Sequence, residues 1–148
     1  MNLEKLEQQL AIDEGKKLTA YIDTVGVLTV GIGHNCLVSP VHGVLKAGDT
    51  ITEETCSRLF REDIAESLKQ LDRHLPWWKD LDDVRQNILA NMVFNMGINT
   101  LLQFRNTLKF IESGSYDMAA DGMLASLWAR QVGDRAKRLA KQMRTGEW

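Results

Sequence analysis

The sequence predicts an α+β fold, a small strand-bearing lobe near the N-terminus joined by a long helix to a C-terminal helical lobe. Three observations carry that prediction. Residues 21–24 and 28–32 are two short strand-like runs flanking Val25-Gly26, and Gly26 can supply the positive φ that a tight connection demands. From Glu53 to Leu75 the apolar positions Cys56, Leu59, Phe60, Ile64, Leu68, Leu71 and Leu75 recur at three and four, one helix stopped by Pro76. Everything after Pro76 reads as shorter helices, which places strands first and a bundle after them.

Taken in order, Leu3, Leu6 and Leu10 at helical spacing predict a helix over 3–12. After the strands, Ser39-Pro40, Gly43 and Gly48-Asp49 mark loops around a short strand or turn in 35–51. Thr52 is placed to cap the long helix, with Glu53 and Glu54 where negative charge suits its dipole. Asp82 caps a helix over 83–96 that is apolar nearly all round, hence buried, and Gly97 ends it. Helices follow over about 98–103, 106–113, 116–128 and 134–142.

A chain of 148 residues has room for one well-buried core. We read residues 1–148 as a single domain, with strands in about 13–60 and helices in 1–12 and 61–148. The 44% apolar and 26% charged fractions are those of a globular protein rather than a disordered one. No apolar run approaches the roughly 18 residues of a membrane span, so no stable membrane insertion is expected. The start, Met1-Asn2-Leu3-Glu4-Lys5, lacks the basic and apolar regions of a signal peptide. Cytoplasmic residence is therefore expected until something else provides an exit.

Cys36 and Cys56 make neither a disulfide framework nor a zinc spacing; they read as free thiols, a single bridge being the alternative. Residues 1–100 carry 10 basic and 15 acidic side chains and residues 101–148 carry 8 and 5. That asymmetry is either ordinary for the size or a dipole suited to an anionic polymer. The basic residues in 135–144 do not argue for nucleic acid, because the pI is near 5.9 and no nucleic-acid motif accompanies them.

The chemistry gathers in 12–34. Asp13-Glu14-Gly15 ends the first helix, and Asp23 and Thr29 lie on the strand unit beyond it. A single acidic residue at a helix end or turn is ordinarily a solvated cap. Two carboxylates and a hydroxyl in one compact unit are also what is needed to protonate a leaving group and hold a water.

The whole string decides between these readings. Asp13-Glu14-Gly15, Tyr21-x-Asp23-Thr24-x-Gly26 and Thr29-x-Gly31-Ile32-Gly33-His34 resemble the signature of the phage T-even lysozyme type of endolysin, glycoside hydrolase family twenty-four. The stretch Asn91-Met92-Val93-Phe94-Asn95-Met96-Gly97 resembles that family's buried helix. Asp134-Arg135-Ala136-Lys137-Arg138 and Arg144-Thr145-Gly146-Glu147-Trp148 resemble its C-terminal part.

The resemblance implies a lysozyme-like fold and inverting hydrolysis of the β-1,4 bond between N-acetylmuramic acid and N-acetylglucosamine in bacterial peptidoglycan. It assigns Glu14 as acid, with Asp23 and Thr29 stabilising the transition state and holding water. An ordinary carboxyl titrates near 4, so burial must raise the acid's pKa, and an inverting pair stands about 6.5–9.5 Å apart. It also implies saccharide contacts at Asn35, Phe94 and Thr107, an ion pair of His34 with Asp63, and Arg135 against the acid. A lone His without partners at ligand spacing is poor ground for a metal, and no metal or other cofactor is expected.

Two departures stand out: Asn35 where the family is commonly apolar, and Gly122 where it usually has Asn. The implied setting is a monomer that lyses the host cell after a holin opens the membrane, acting then in the periplasm on the wall. A saccharide-binding module on the same fold and a lytic transglycosylase are the alternatives. His42 and His74 belong to no constellation and are expected to be exposed. Trp128 is expected in the core and Trp77-Trp78 as an exposed pair.

Overall fold

The computed structural model describes residues 1–148, which form eight α-helices and one three-stranded antiparallel sheet. The chain divides into two compact units, residues 7–66 and residues 1–6 with 67–148. Two helices run through the boundaries: α1, Leu3–Glu14, and α2, Glu53–His74.

The first unit holds the sheet. Strands β1 (Lys17–Ile22), β2 (Leu28–Gly31) and β3 (His34–Asn35) pair in sequence order. The expected strand 21–24 is displaced: β1 begins at Lys17 and stops before Asp23. The reason is local, because Asp23 Oδ1 accepts the N–H groups of Val25 and Val27 at 3.0 and 2.8 Å. That carboxylate therefore builds the turn instead of joining the ladder, and Gly26 sits in the turn at φ 85°.

Alternation along the strands sorts the two faces of the sheet. Ala20 and Val30 join Cys36, Val41, Val44 and Leu59 in a buried cluster, with Leu28 and Ile51 packed against it. Cross-strand pairing puts Tyr21 opposite Thr29, and Thr29 opposite Asn35, in one row. Residues 36–51 are largely loop, but Thr50 bridges to Thr19 and Ile51 N–H reaches Leu18 O, so the segment lines β1. Both thiols are free and buried, and burial pushes their titration upward.

Thr52 caps α2 by accepting the Thr55 N–H at 3.1 Å. In the second unit a 3-10 turn, Pro76–Asp80, leads to α3, Asp83–Met96, capped by Asp82 and closed at Gly97 with φ 81°. Helices α4 (Ile98–Leu102), α5 (Arg105–Glu112), α6 (Tyr116–Leu124), α7 (Leu127–Val132) and α8 (Asp134–Thr145) follow. α8 packs on α3, α6 and α7, and α5 packs on α6. Ile88, Leu89, Met92, Met123, Leu139 and Met143 are fully buried on these helices.

Two expectations fail here for physical reasons. The helix expected over 116–128 is two helices, because Ser126 takes an extended conformation between them. Its hydroxyl donates to Met123 O at 2.7 Å and accepts the Ala129 N–H at 3.1 Å, finishing one helix and capping the next. Trp78 is not exposed: it is buried, and its indole N–H donates to Asp72 Oδ1 at 2.8 Å, while Trp77 is half-buried. Trp128 is in the core, and both His42 and His74 are exposed. No helix is long and apolar enough to cross a membrane.

Candidate active site

Glu14, Asp23, Thr29, His34, Asn35 and Asp63 all belong to the first unit, and Phe94, Thr107 and Arg135 to the second. Glu14 is the last residue of α1 and is partly exposed. Its side chain lies directly against Gly33, where a Cβ would stand 2.8 Å from Oε1 and 2.9 Å from Cδ. Gly33 also has φ 65°, a conformation that favours glycine. The Gly-Ile-Gly-His string thus has a reason in the fold: the backbone before β3 must turn left-handed and leave space for the Glu14 carboxyl.

Asp23 and Thr29 are both pinned to Val27. Asp23 Oδ1 accepts the Val27 N–H at 2.8 Å, and the Thr29 hydroxyl donates to Val27 O at 2.9 Å. Thr29 is buried and has given away its only proton, so its remaining lone pairs can only accept. Asp23 Oδ1 is committed to two backbone amides, which leaves Oδ2 as its outward acceptor.

Tyr21 is a site residue that the sequence reading passed over. It stands opposite Thr29 on the sheet, with the Lys17 ammonium 4.4 Å from its ring centroid. Burial first, then the nearby charges of Glu14 and Asp23, raise its pKa above 10.0. Its hydroxyl therefore stays a donor through neutral pH. The signal was available in the Tyr-x-Asp spacing, which sets Tyr21 two residues before a carboxylate.

His34 is buried, with Nδ1 2.7 Å from Asp63 Oδ2 and Nε2 2.8 Å from Ser39 O. Burial works against its charge, but the Asp63 carboxylate, the Ser39 carbonyl and Glu62 outweigh it, and the pKa is raised above 6.5. Asn35 spends its side-chain oxygen on the N–H groups of Leu37 and Val38, at 2.9 and 3.1 Å, so only its amide N–H₂ is left to face solvent. No group of three or more His, Cys, Asp or Glu side chains is arranged to hold a metal.

In the second unit Phe94 lies half-buried on α3. Arg135, at the start of α8, is buried and donates Nε to Asn91 Oδ1 at 3.0 Å. Asn95 Oδ1 accepts the Trp128 indole N–H at 2.7 Å. Thr107 is buried on α5, and a Cβ on Gly122 would fall 2.4 Å from its Oγ1. The glycine at that position is thus a steric partner of the threonine.

The chain is similar to known proteins. The phage lysozyme family matches the chain over residues 11–145. A probable T4-type lysozyme of Dictyostelium discoideum is 31% identical over 160 residues, 95% of this chain and 94% of that protein. The endolysin of Salmonella phage P22 is 30% identical over 125 residues, covering 82% of this chain and 79% of its own. The pre-baseplate central spike protein of Enterobacteria phage T4 is 30% identical over 159 residues, which are 95% of this chain and 28% of the spike protein. With a family match across nearly all its length, this chain belongs to the phage lysozyme family and is a glycoside hydrolase of the lysozyme type.

Proposed function

We propose that the chain is an inverting N-acetylmuramidase that cuts the β-1,4 bond between N-acetylmuramic acid and N-acetylglucosamine in peptidoglycan. The observation that carries the inverting reading is the shared anchor of Asp23 and Thr29 on Val27. Both side chains are fixed by the backbone of the same residue and both present acceptors, so a water between them gives up both hydrogens. Its lone pair is then turned toward the sugar.

In the proposed step Glu14 donates a proton to the glucosamine O4 while the bond from O4 to C1 of the muramic acid breaks. Water attacks C1 from the opposite face, a proton passes to Asp23, and the product leaves with an α-hydroxyl at C1. The Asp23 carboxylate faces the positive charge that develops at C1. The step requires no metal or nucleotide. Asn35, Phe94 and Thr107 are proposed saccharide contacts, and Arg135 and the His34–Asp63 pair support the site. The phage relatives named endolysin support host-cell lysis as the setting. In that setting a monomer reaches the wall from the cytoplasm through a holin lesion.

Digestion of purified walls tests the reading. New reducing ends that appear first as the α-anomer are expected. Anhydro-muramic ends would make the chain a transglycosylase instead, and binding without cleavage would make it a saccharide-binding module. Gly33→Ala is a sharper probe of the acid's placement. Its Cβ meets the Glu14 carboxyl and its φ of 65° becomes strained, so a loss of about 1 kcal/mol of stability is expected. Hydrolysis should fall by at least about tenfold, since misplacing a reacting group by about 1 Å can cost 10²-fold. Thermal melting and initial rates of wall clearing read the two effects separately.

A further inference from the structure

Tyr21 carries an O–H that the hydrolytic step proposed above does not use. The residue stands opposite Thr29 on the sheet, half-buried, with the Lys17 ammonium 4.4 Å from its ring centroid. That cation lies against the ring and holds it in place. The hydroxyl makes no hydrogen bond within the protein. Burial, then the charges of Glu14 and Asp23, keep it protonated. The first unit thus sets a donor near both carboxylates and beside Thr29, and supplies no acceptor for it. A half-buried O–H left this way gains free energy when a ligand brings an acceptor.

The chemistry at C1 says which acceptor that is. In the inverting step, water takes the face of C1 opposite the leaving O4. The 2-acetamido group of the muramic acid is trans to the β-linked O4, so its carbonyl oxygen reaches C1 from that same face. Water and carbonyl therefore compete for one carbon. We propose that the Tyr21 hydroxyl donates to the acetamido carbonyl and holds it off C1, which reserves that carbon for the water between Asp23 and Thr29. The proposal rests on the inverting reading and makes Tyr21 the catalytic residue that fixes the stereochemical outcome. With the carbonyl released, its oxygen bonds to C1 as O4 leaves with the Glu14 proton, and a cyclic oxazolinium ion forms. Water then enters from the side that O4 has left and gives its proton to the Glu14 carboxylate. The bond from C1 to the carbonyl oxygen breaks, the acetamide is restored, and the product is the β-anomer.

Tyr21→Phe removes the hydroxyl and keeps the ring beside Lys17. Native protein and variant are assayed on soluble wall fragments, with the anomer of each new end read by NMR before it mutarotates. The variant is expected to lose about tenfold in kcat/KM, the scale of one hydrogen bond made to the reacting sugar, and to release part of its product as the β-anomer. A slower variant whose product is all α would overturn the proposal, because a purely structural hydroxyl changes the rate and not the anomer. Lys17→Met keeps the hydroxyl and frees the ring, which tests the same point should Tyr21→Phe fail to fold. It is expected to lose about two- to fivefold, with a smaller β fraction. The native protein separates the two readings. If its own first product is the β-anomer, the inverting reading falls. If native protein and both variants all give the α-anomer, inversion stands and the role of Tyr21 falls.

Discussion

Glu14→Gln is expected to lower wall hydrolysis by at least about a thousandfold while leaving the fold intact. Glutamine keeps the shape of the side chain that lies over Gly33, so the packing there is preserved. What it loses is the proton. An O4 alkoxide is a poor leaving group, and general-acid catalysis is worth about 10²–10⁴-fold. The upper half of that range is expected because a carboxamide has no proton to give to the leaving oxygen. Rates on outer-membrane-stripped walls, with circular dichroism to confirm folding, make the measurement. A fully active variant would mean that Glu14 is not the acid.

The second large effect is on stability. Asp63→Asn is expected to cost about 2 kcal/mol near pH 5, less than a fully buried ion pair because Asp63 is partly exposed, and much less near pH 9. His34 Nε2 faces a carbonyl oxygen, which only accepts, so that nitrogen carries a hydrogen. Nδ1 faces a carboxylate, which also only accepts. Both nitrogens are therefore protonated and the ring is an imidazolium. Because its folded pKa lies above 6.5, the pair's contribution is fully present below about pH 6.5 and is lost as pH rises through the folded value. Chemical denaturation of both proteins across pH 5–9 should give a difference that is largest at the acidic end and shrinks as pH rises through the folded His34 value. A flat difference would show that the two groups are not coupled.

The sequence carried most of the fold because the elements depend on local signals. Thr52, Asp82 and Gly97 are end markers whose hydrogen bonds or φ angles are the ones found. Where it misled, one side chain had two options. Asp23 could have extended a strand or folded back on the backbone, and the turn won. Ser126 sits in a helical pattern that its hydroxyl interrupts. Trp78 is buried through a partner six residues earlier, Asp72, which no periodicity announces. The carboxylates and Thr29 were legible because they lie within sixteen residues in one unit. Tyr21 was hidden by its strand character.

The first six residues belong to the helical unit, not to the unit that follows them in the chain. Met1 places its ammonium 2.6 Å from Asp83, and Asn2 and Asn87 exchange two hydrogen bonds at 3.1 and 2.9 Å. The strand-bearing unit is in effect one excursion whose two ends are both tied into helices. The entropy of closing such an excursion grows only with the logarithm of its length, about 0.6 kcal/mol for each doubling. Loops at 36–49 can therefore lengthen or shorten at little cost to the helical core. A change of length there would leave the helical core, and the fastening of Met1 and Asn2 to α3, as they are.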